Sequence, residues 1–184
     1  SLDDPLLETQ SRQTIARWTV KLDFVGANHD VRPVGEERQE AVISYFRGSP
    51  DQWHTSLPTY RRLVYRDLWP GIDLVYYGTV DRLKYEFIIH PGADPGQIRL
   101  AYRGATGVRL NAAGQLEVTT PLGGFTDALP VAYQEINGRE VAVAAAYQLL
   151  SDPTPQSESV EFNGAKYTLQ PSAFRFVLGD YDPT

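Results

Sequence analysis

Four acidic side chains, Asp67, Asp73, Asp81 and Glu86, fall within twenty residues of one another, among Tyr65, Trp69, Tyr76, Tyr77 and Tyr85. Two carboxylates about 5–9.5 Å apart are enough for glycoside hydrolysis, and flat aromatic rings stack on sugar rings. Two carbohydrate readings follow. One is a glycosidase acting through Asp67, Asp73 or Glu86. The other is a binding module using Trp53, Trp69, Tyr76 and Tyr77, which requires at least two of those rings to be coplanar and to face solvent. A structural reading stands beside both and is preferred. Aromatics are favoured strand residues, and Asp next to Pro or Gly is ordinary turn chemistry.

Other catalytic patterns are thinner. His29, His54 and His90 lie at different loop or strand ends, with no metal-ligand spacing such as HExxH between any two. No G-x-S-x-G nucleophile turn occurs, and Gly48-Ser49-Pro50 reads as a plain turn. Calcium would need clustered hard oxygens. Asp94 in a Pro-Gly turn and Asp180 and Asp182 near the C-terminus supply some, without the density of an EF-hand or a nonapeptide repeat. We therefore expect no catalytic residues, no resident metal and no cofactor.

The balance of charge narrows the partners. There are 23 acidic and 17 basic residues, for a net charge of -6. A nucleic-acid binder presents a basic stripe to phosphates. Here the densest basic run, Arg61-Arg62 with Arg66, is interleaved with Leu63, Val64 and Tyr65 and reads as the solvent side of a strand. Nucleic acid is not expected as a partner. No apolar run approaches the ~20 residues that span a bilayer as a helix. The chain has no cysteine, which removes thiol catalysis and disulfides, and it begins at Ser1, so any export signal is expected upstream.

The elements that must position these side chains have a period of two. Trp18, Val20, Leu22 and Phe24 alternate with polar residues, as do Leu83, Tyr85, Phe87 and Ile89. Ile98, Leu100 and Tyr102 repeat the pattern, then Val141, Val143, Ala145, Tyr147 and Leu149, then Phe174, Phe176 and Leu178. Every second side chain on a strand shares a face, so each run demands a covering layer. The best helical candidate, Glu36 to Phe46, ends in the β-rich Ala41-Val42-Ile43-Ser44-Tyr45-Phe46 and is assigned as strand. Asn137-Gly138 and Asn163-Gly164 suit type I′ hairpins, and Asn111 to Gly114 suits a longer one. Trp69-Pro70-Gly71 and the run from Pro91 to Gly96 read as turns, and Ser151 to Ser159 as an exposed loop.

The sum is roughly ten to twelve strands in two packed antiparallel sheets, an all-β sandwich, elaborated or two-part, with little or no helix. Residues 1–16 form a lead-in tail and 17–184 the sandwich, with a sub-boundary near 104–107. The expected core contains Leu22, Phe24, Leu74, Tyr85, Phe87, Ile89, Leu100, Val118, Val143, Tyr147 and Phe176.

Several words along the chain carry a family resemblance. Leu22-Asp23-Phe24-Val25-Gly26-Ala27-Asn28, Tyr45-Phe46-Arg47-Gly48 and Trp53-His54-Thr55 are the first of them. They continue with Pro58-Thr59-Tyr60, Trp69-Pro70-Gly71-Ile72-Asp73-Leu74-Val75-Tyr76-Tyr77-Gly78 and Leu83-Lys84-Tyr85-Glu86-Phe87. The last are Pro91-Gly92-Ala93-Asp94-Pro95, Pro130 to Glu135 and Gly179-Asp180-Tyr181-Asp182-Pro183. Together they resemble a bacterial domain of unknown function found ahead of β-propeller repeats in SBBP-repeat proteins. Two features depart from it: a "F-E-x-N-x-G-Q" opening is not visible, and Thr79-Val80-Asp81 replaces a customary Gly at a hairpin tip. The first departure leaves open whether strands from outside this chain complete a sheet. The resemblance implies an exported, multidomain protein at the bacterial surface, with docking against downstream propeller repeats, and it transfers no catalytic residue. The expected function is a non-catalytic structural or adhesion-type module. The alternatives are a module that binds extracellular glycan and, third, a glycosidase-like enzyme.

Overall fold

The computed structural model describes residues 16–78, 83–151, 158–170 and 172–183. Most of the expected lead-in tail, the hairpin tip with Asp81, and residues 152–157 of the expected loop lie outside them.

Alternation becomes strand almost wherever it was read. The chain runs β1 (Lys21–Val25), β2 (Val34–Tyr45), β3 (His54–Trp69), β4 (Ile72–Gly78) and β5 (Leu83–Ile89). It continues through β6 (Arg99–Arg103), β7 (Gly107–Leu110), β8 (Leu116–Thr120), β9 (Gly123–Asp127) and β10 (Ala132–Ile136). Last come β11 (Arg139–Val143), β12 (Ala145–Leu149), β13 (Glu158–Phe162), β14 (Ala165–Leu169) and β15 (Ser172–Leu178). Only two single 3-10 turns, Pro50–Gln52 and Pro95–Gln97, interrupt them among the described residues.

Two four-stranded antiparallel sheets form the sandwich, one in the order β1-β6-β15-β12 and the other β2-β3-β4-β5. In the first sheet, register aligns Phe24, Leu100, Phe174 and Leu149 in one row across all four strands. The second sheet answers with Trp69, Ile72, Leu74 and Phe87. Ring contacts join the layers: Phe24 meets Trp69 and Phe87 with centroids 6.2 and 6.5 Å apart, and Phe87 meets Phe176 at 5.9 Å. A third, three-stranded sheet, β7-β8-β9, adds fully buried Leu116 and Val118 to the same core. The hairpins β10-β11 and β13-β14 stand apart as two-stranded sheets.

Three expectations need correction. The run Val141 to Leu149 is not one strand. It breaks at Ala144, where Gly179 N–H donates to the Ala144 carbonyl at 2.8 Å, and its halves join different sheets. The alternation stays in phase across the break, so pattern alone could not reveal it. The expected loop ends early, because Glu158 and Ser159 already belong to β13. The strand total, fifteen among the described residues, exceeds the expected ten to twelve, in part because the run from Val141 to Leu149 supplies two strands.

Leu74, Leu100, Val118, Val143 and Tyr147 are buried as expected, and Leu22, Phe24, Tyr85, Phe87, Ile89 and Phe176 pack half-buried around the core. The most buried positions include residues outside the expected set, among them Ile72, Ile98, Leu116 and Phe174. Ala105, inside the expected sub-boundary, is itself fully buried in this one core cluster.

Turn chemistry matches the sequence. Asn137 and Asn163 take positive φ ahead of Gly138 and Gly164, as a type I′ hairpin requires. Gly71 sits at φ +70, and a Cβ built there would lie 2.8 Å from the Ala93 Cβ. Gly92 has a similar φ of +79 with open space around it. Gly92→Val therefore adds only backbone strain, about 1–2 kcal/mol, whereas Gly71→Val adds a clash as well. The expected loss for Gly71→Val is roughly 2–4 kcal/mol. Thermal denaturation should show the Gly71 variant melting several degrees below the Gly92 variant; equal melting temperatures would contradict this packing.

Candidate functional site

Of the acidic residues singled out in the sequence, Asp73 and Glu86 share the outer face of the second sheet and Asp67 lies at the adjoining bulge, while Asp81 lies outside the described residues. Asp73, the one buried charged residue among those described, projects to that face from β4. A bulge between Tyr65 and Trp69 takes Asp67 to φ +50 and leaves its N–H outside the ladder. Asp73 Oδ1 accepts that N–H at 2.8 Å, and Asp67 Oδ1 in turn accepts the Gly71 N–H at 3.0 Å. The second Asp73 oxygen lies 3.1 Å from His90 Nε2 and 3.9 Å from Arg66 Nη1. Arg66 also pairs with Glu36 of β2. Glu86 lies one diagonal step from Asp73 on the same face and pairs with Arg62 at 3.8 Å. Arg62 and Arg66, from the basic run read as the solvent side of a strand, thus supply cations to these carboxylates.

Burial by itself would raise the Asp73 pKa. The Asp67 N–H, the His90 hydrogen bond and charge, and the Arg66 charge outweigh it and hold the pKa below the ordinary carboxylate value. A glycosidase acid needs the opposite shift, a carboxyl kept protonated near neutral pH. The arrangement fastens a bulge and a turn.

The candidate sugar platform is dispersed. Trp69 is 3% exposed and donates its indole N–H to the Val25 carbonyl at 3.2 Å. Tyr76 faces the core between Tyr65 and Tyr85, while Tyr77, its neighbour on β4, points to the opposite face near Glu86. Trp53 is 43% exposed but lies just before β3, at the end of that strand farthest from Trp69, and meets Phe46 edge-on at 83°. The four rings form no common plane.

The calcium candidates are likewise separate in role. Asp94 accepts the Gly96 N–H at 2.8 Å as the cap of a 3-10 turn. The backbone of Asp182 is held by the Gln134 amide, which donates to its carbonyl at 2.6 Å and accepts its N–H at 2.9 Å. Among the described residues, no three His, Asp or Glu side chains are grouped to hold a metal.

Two features escaped the sequence reading. In the first, Asp127 at the end of β9 accepts the Tyr102 hydroxyl at 2.9 Å, and Tyr147 donates to the adjoining Ala128 carbonyl at 2.9 Å. Burial first, then the Asp127 charge, pushes Tyr85 up to about 12 and raises Tyr102 and Tyr147 further still. All three therefore stay neutral at physiological pH. This cluster ties the third sheet to the sandwich.

The second is the outer part of β2 and β3. β4 pairs with β3 only from Arg62 onward, whereas β2 follows β3 back to the Tyr45–His54 pair. Beyond Arg62 the two strands form a ribbon with no third strand among the described residues, and nearly every residue on it is exposed. At about 3.3 Å per residue, β3 spans on the order of 50 Å from Trp69 to the ribbon end. The apex carries Val42, Ile43, Tyr45, Phe46, Trp53 and Leu57, all more than a third exposed. The uncharged run from Ala41 to Phe46 was a visible signal, but pattern could not show that it lacks a covering layer.

The fold is thus an all-β sandwich with a projecting β-ribbon. The family model for a domain of unknown function (DUF7948) matches residues 3–184, and the chain belongs to that family. No curated protein and no solved structure matches it significantly.

Because its pKa falls on folding, Asp73 stabilises the fold fully above the unfolded-state value of 3.8, and that contribution is lost as pH drops through the lower folded-state value. Asp73→Asn should cost about 1–3 kcal/mol at neutral pH. Chemical denaturation across pH should show the gap to the natural protein narrowing only below about pH 4. A gap that is constant down to pH 2 would remove Asp73's charge from the account.

Proposed function

We propose that this chain is a non-catalytic structural or adhesion-type module of an exported bacterial multidomain surface protein. The observation that supports it most is the β2-β3 ribbon, which leaves the sandwich and carries aromatic and aliphatic side chains into solvent. Such a surface favours contact with another macromolecule over chemistry on a small substrate. The polar groups that would serve catalysis are engaged with the protein's own backbone and cations. Asp67 and Asp73 accept main-chain N–H groups, and Glu86 faces Arg62.

The resemblance of the motif words to domains that precede β-propeller repeats supports the rest of the reading. On it, downstream propeller domains of the same polypeptide are partners, and the site of action is the bacterial exterior. The outer-face carboxylates give the competing glycosidase reading a direct test. Purified protein incubated with glycan, ester and peptide substrates should show no turnover, and Asp73→Asn and Glu86→Gln should leave that baseline unchanged. Turnover that either substitution abolishes would replace this reading with an enzymatic one.

A further inference from the structure

The β10-β11 hairpin has a ladder from the Ala132–Val143 pair to the Ile136–Arg139 pair, and it joins no other strand among the described residues. Of its two strands only Val143, at the base, is buried. A hairpin this exposed is marginally stable in water by itself, so its place depends on what fastens it to the sandwich. The residues that follow β15 supply a fastening. The Gly179 N–H donates to the Ala144 carbonyl at 2.8 Å, at the foot of the hairpin. Further along, the Gln134 side chain donates to the Asp182 carbonyl at 2.6 Å and accepts the Asp182 N–H at 2.9 Å. The Gly92 N–H then donates to the Pro183 carbonyl at 2.9 Å. We propose that residues 179–183 are a latch: seated between Gln134 and Gly92 they hold the β10-β11 hairpin on the sandwich, and their release frees hairpin and strap together.

The path of the strap supports this. It leaves β15, a strand of the first sheet, and ends against the turn after β5, the edge strand of the second. At about 3.3 Å per residue, residues 179–183 reach on the order of 13 Å, enough to cross the ~10 Å between packed sheets with little slack. Its start is tight as well, since a Cβ built on Gly179 would lie 3.0 Å from the Ala144 Cβ. The strap therefore touches both layers and passes the hairpin on the way.

The chemistry of the contacts fits a device that opens. A glutamine amide carries a donor and an acceptor side by side, and Gln134 presents them to the N–H and C=O of a single residue, like one rung of a ladder. All four bonds are made to main-chain groups of the strap. Exposed hydrogen bonds of this kind contribute little each, because water replaces them readily, and such regions open locally before the whole molecule unfolds. The bonds are also coupled. Each one keeps the next pair of groups at high effective concentration, so losing the Gln134 pair weakens the Pro183–Gly92 bond although neither of its partners has changed.

The inference rests on these hydrogen bonds and not on the lack of catalysis, so a hydrolytic activity would leave it standing. Amide hydrogen exchange followed by NMR on the natural protein and on Gln134→Ala is the test. In the variant, the Gly92 and Asp182 amides and the β10-β11 ladder amides should exchange roughly tenfold faster or more. Amides of the β13-β14 hairpin and of the central strand β4 should keep their rates. Gln134→Asn, which has the same groups on a shorter stem, should behave as the Ala variant does. Gly179→Val, at the other end of the strap, should also speed exchange at Gly92. The natural protein by itself covers the case in which the variants fail to fold. With rising denaturant, its Gly92, Asp182 and hairpin amides should merge into one opening that lies below global unfolding. Three results would each overturn the latch: Gly92 protection that ignores Gln134→Ala, acceleration spread equally over β4 and β13-β14, or separate openings for strap and hairpin in the natural protein.

Discussion

Every structural decision in this molecule answers one constraint: the apolar face of a strand has to be covered. A pleated strand places alternate side chains on one side, and leaving that side in water forfeits its burial free energy, about 25 cal/mol per Å². The row Phe24, Leu100, Phe174 and Leu149 exists only because Trp69, Ile72, Leu74 and Phe87 lie against it from the other sheet. The third sheet extends the cover through Leu116 and Val118. Where the cover ends, on the outer part of β2 and β3, the molecule shows its least self-sufficient surface.

Polar residues are arranged around that constraint as fasteners. A sandwich of short strands needs tight turns and bulges, and these expose backbone N–H groups that the ladder no longer satisfies. Asp73 answers one such need at the Asp67 bulge, Asp67 answers the next at Gly71, and Asp94 caps a 3-10 turn. Asp127 secures the third sheet through Tyr102. A carboxylate buried beside cations and main-chain donors is stabilised as an anion, which suits anchoring and opposes general-acid chemistry. The same residues that suggested sugar chemistry in the sequence are thus explained by the turns they stabilise.

Much of the fold was legible in one dimension. Strand positions, the type I′ hairpins at Asn137-Gly138 and Asn163-Gly164, and the Pro70-Gly71 reversal follow from local rules of pleat and backbone angle. The break at Ala144 was not, because Val143 and Ala145 keep the same phase on either side of it. The candidate site was legible only as a list. Trp69 and Trp53 look alike in sequence, yet one lies in the core and the other at the tip of an arm. Asp127 gave no signal, since its tyrosine partner Tyr102 lies 25 residues away.

The sequence by itself determined that this chain is built of strands, where they reverse, and which side of each is apolar. These are properties of neighbours a few bonds apart. Tertiary structure alone decided which apolar faces meet and which stay bare. It also decided whether an aspartate holds a turn or faces solvent. Pairing between distant strands depends on register and layer order, and no local period encodes either.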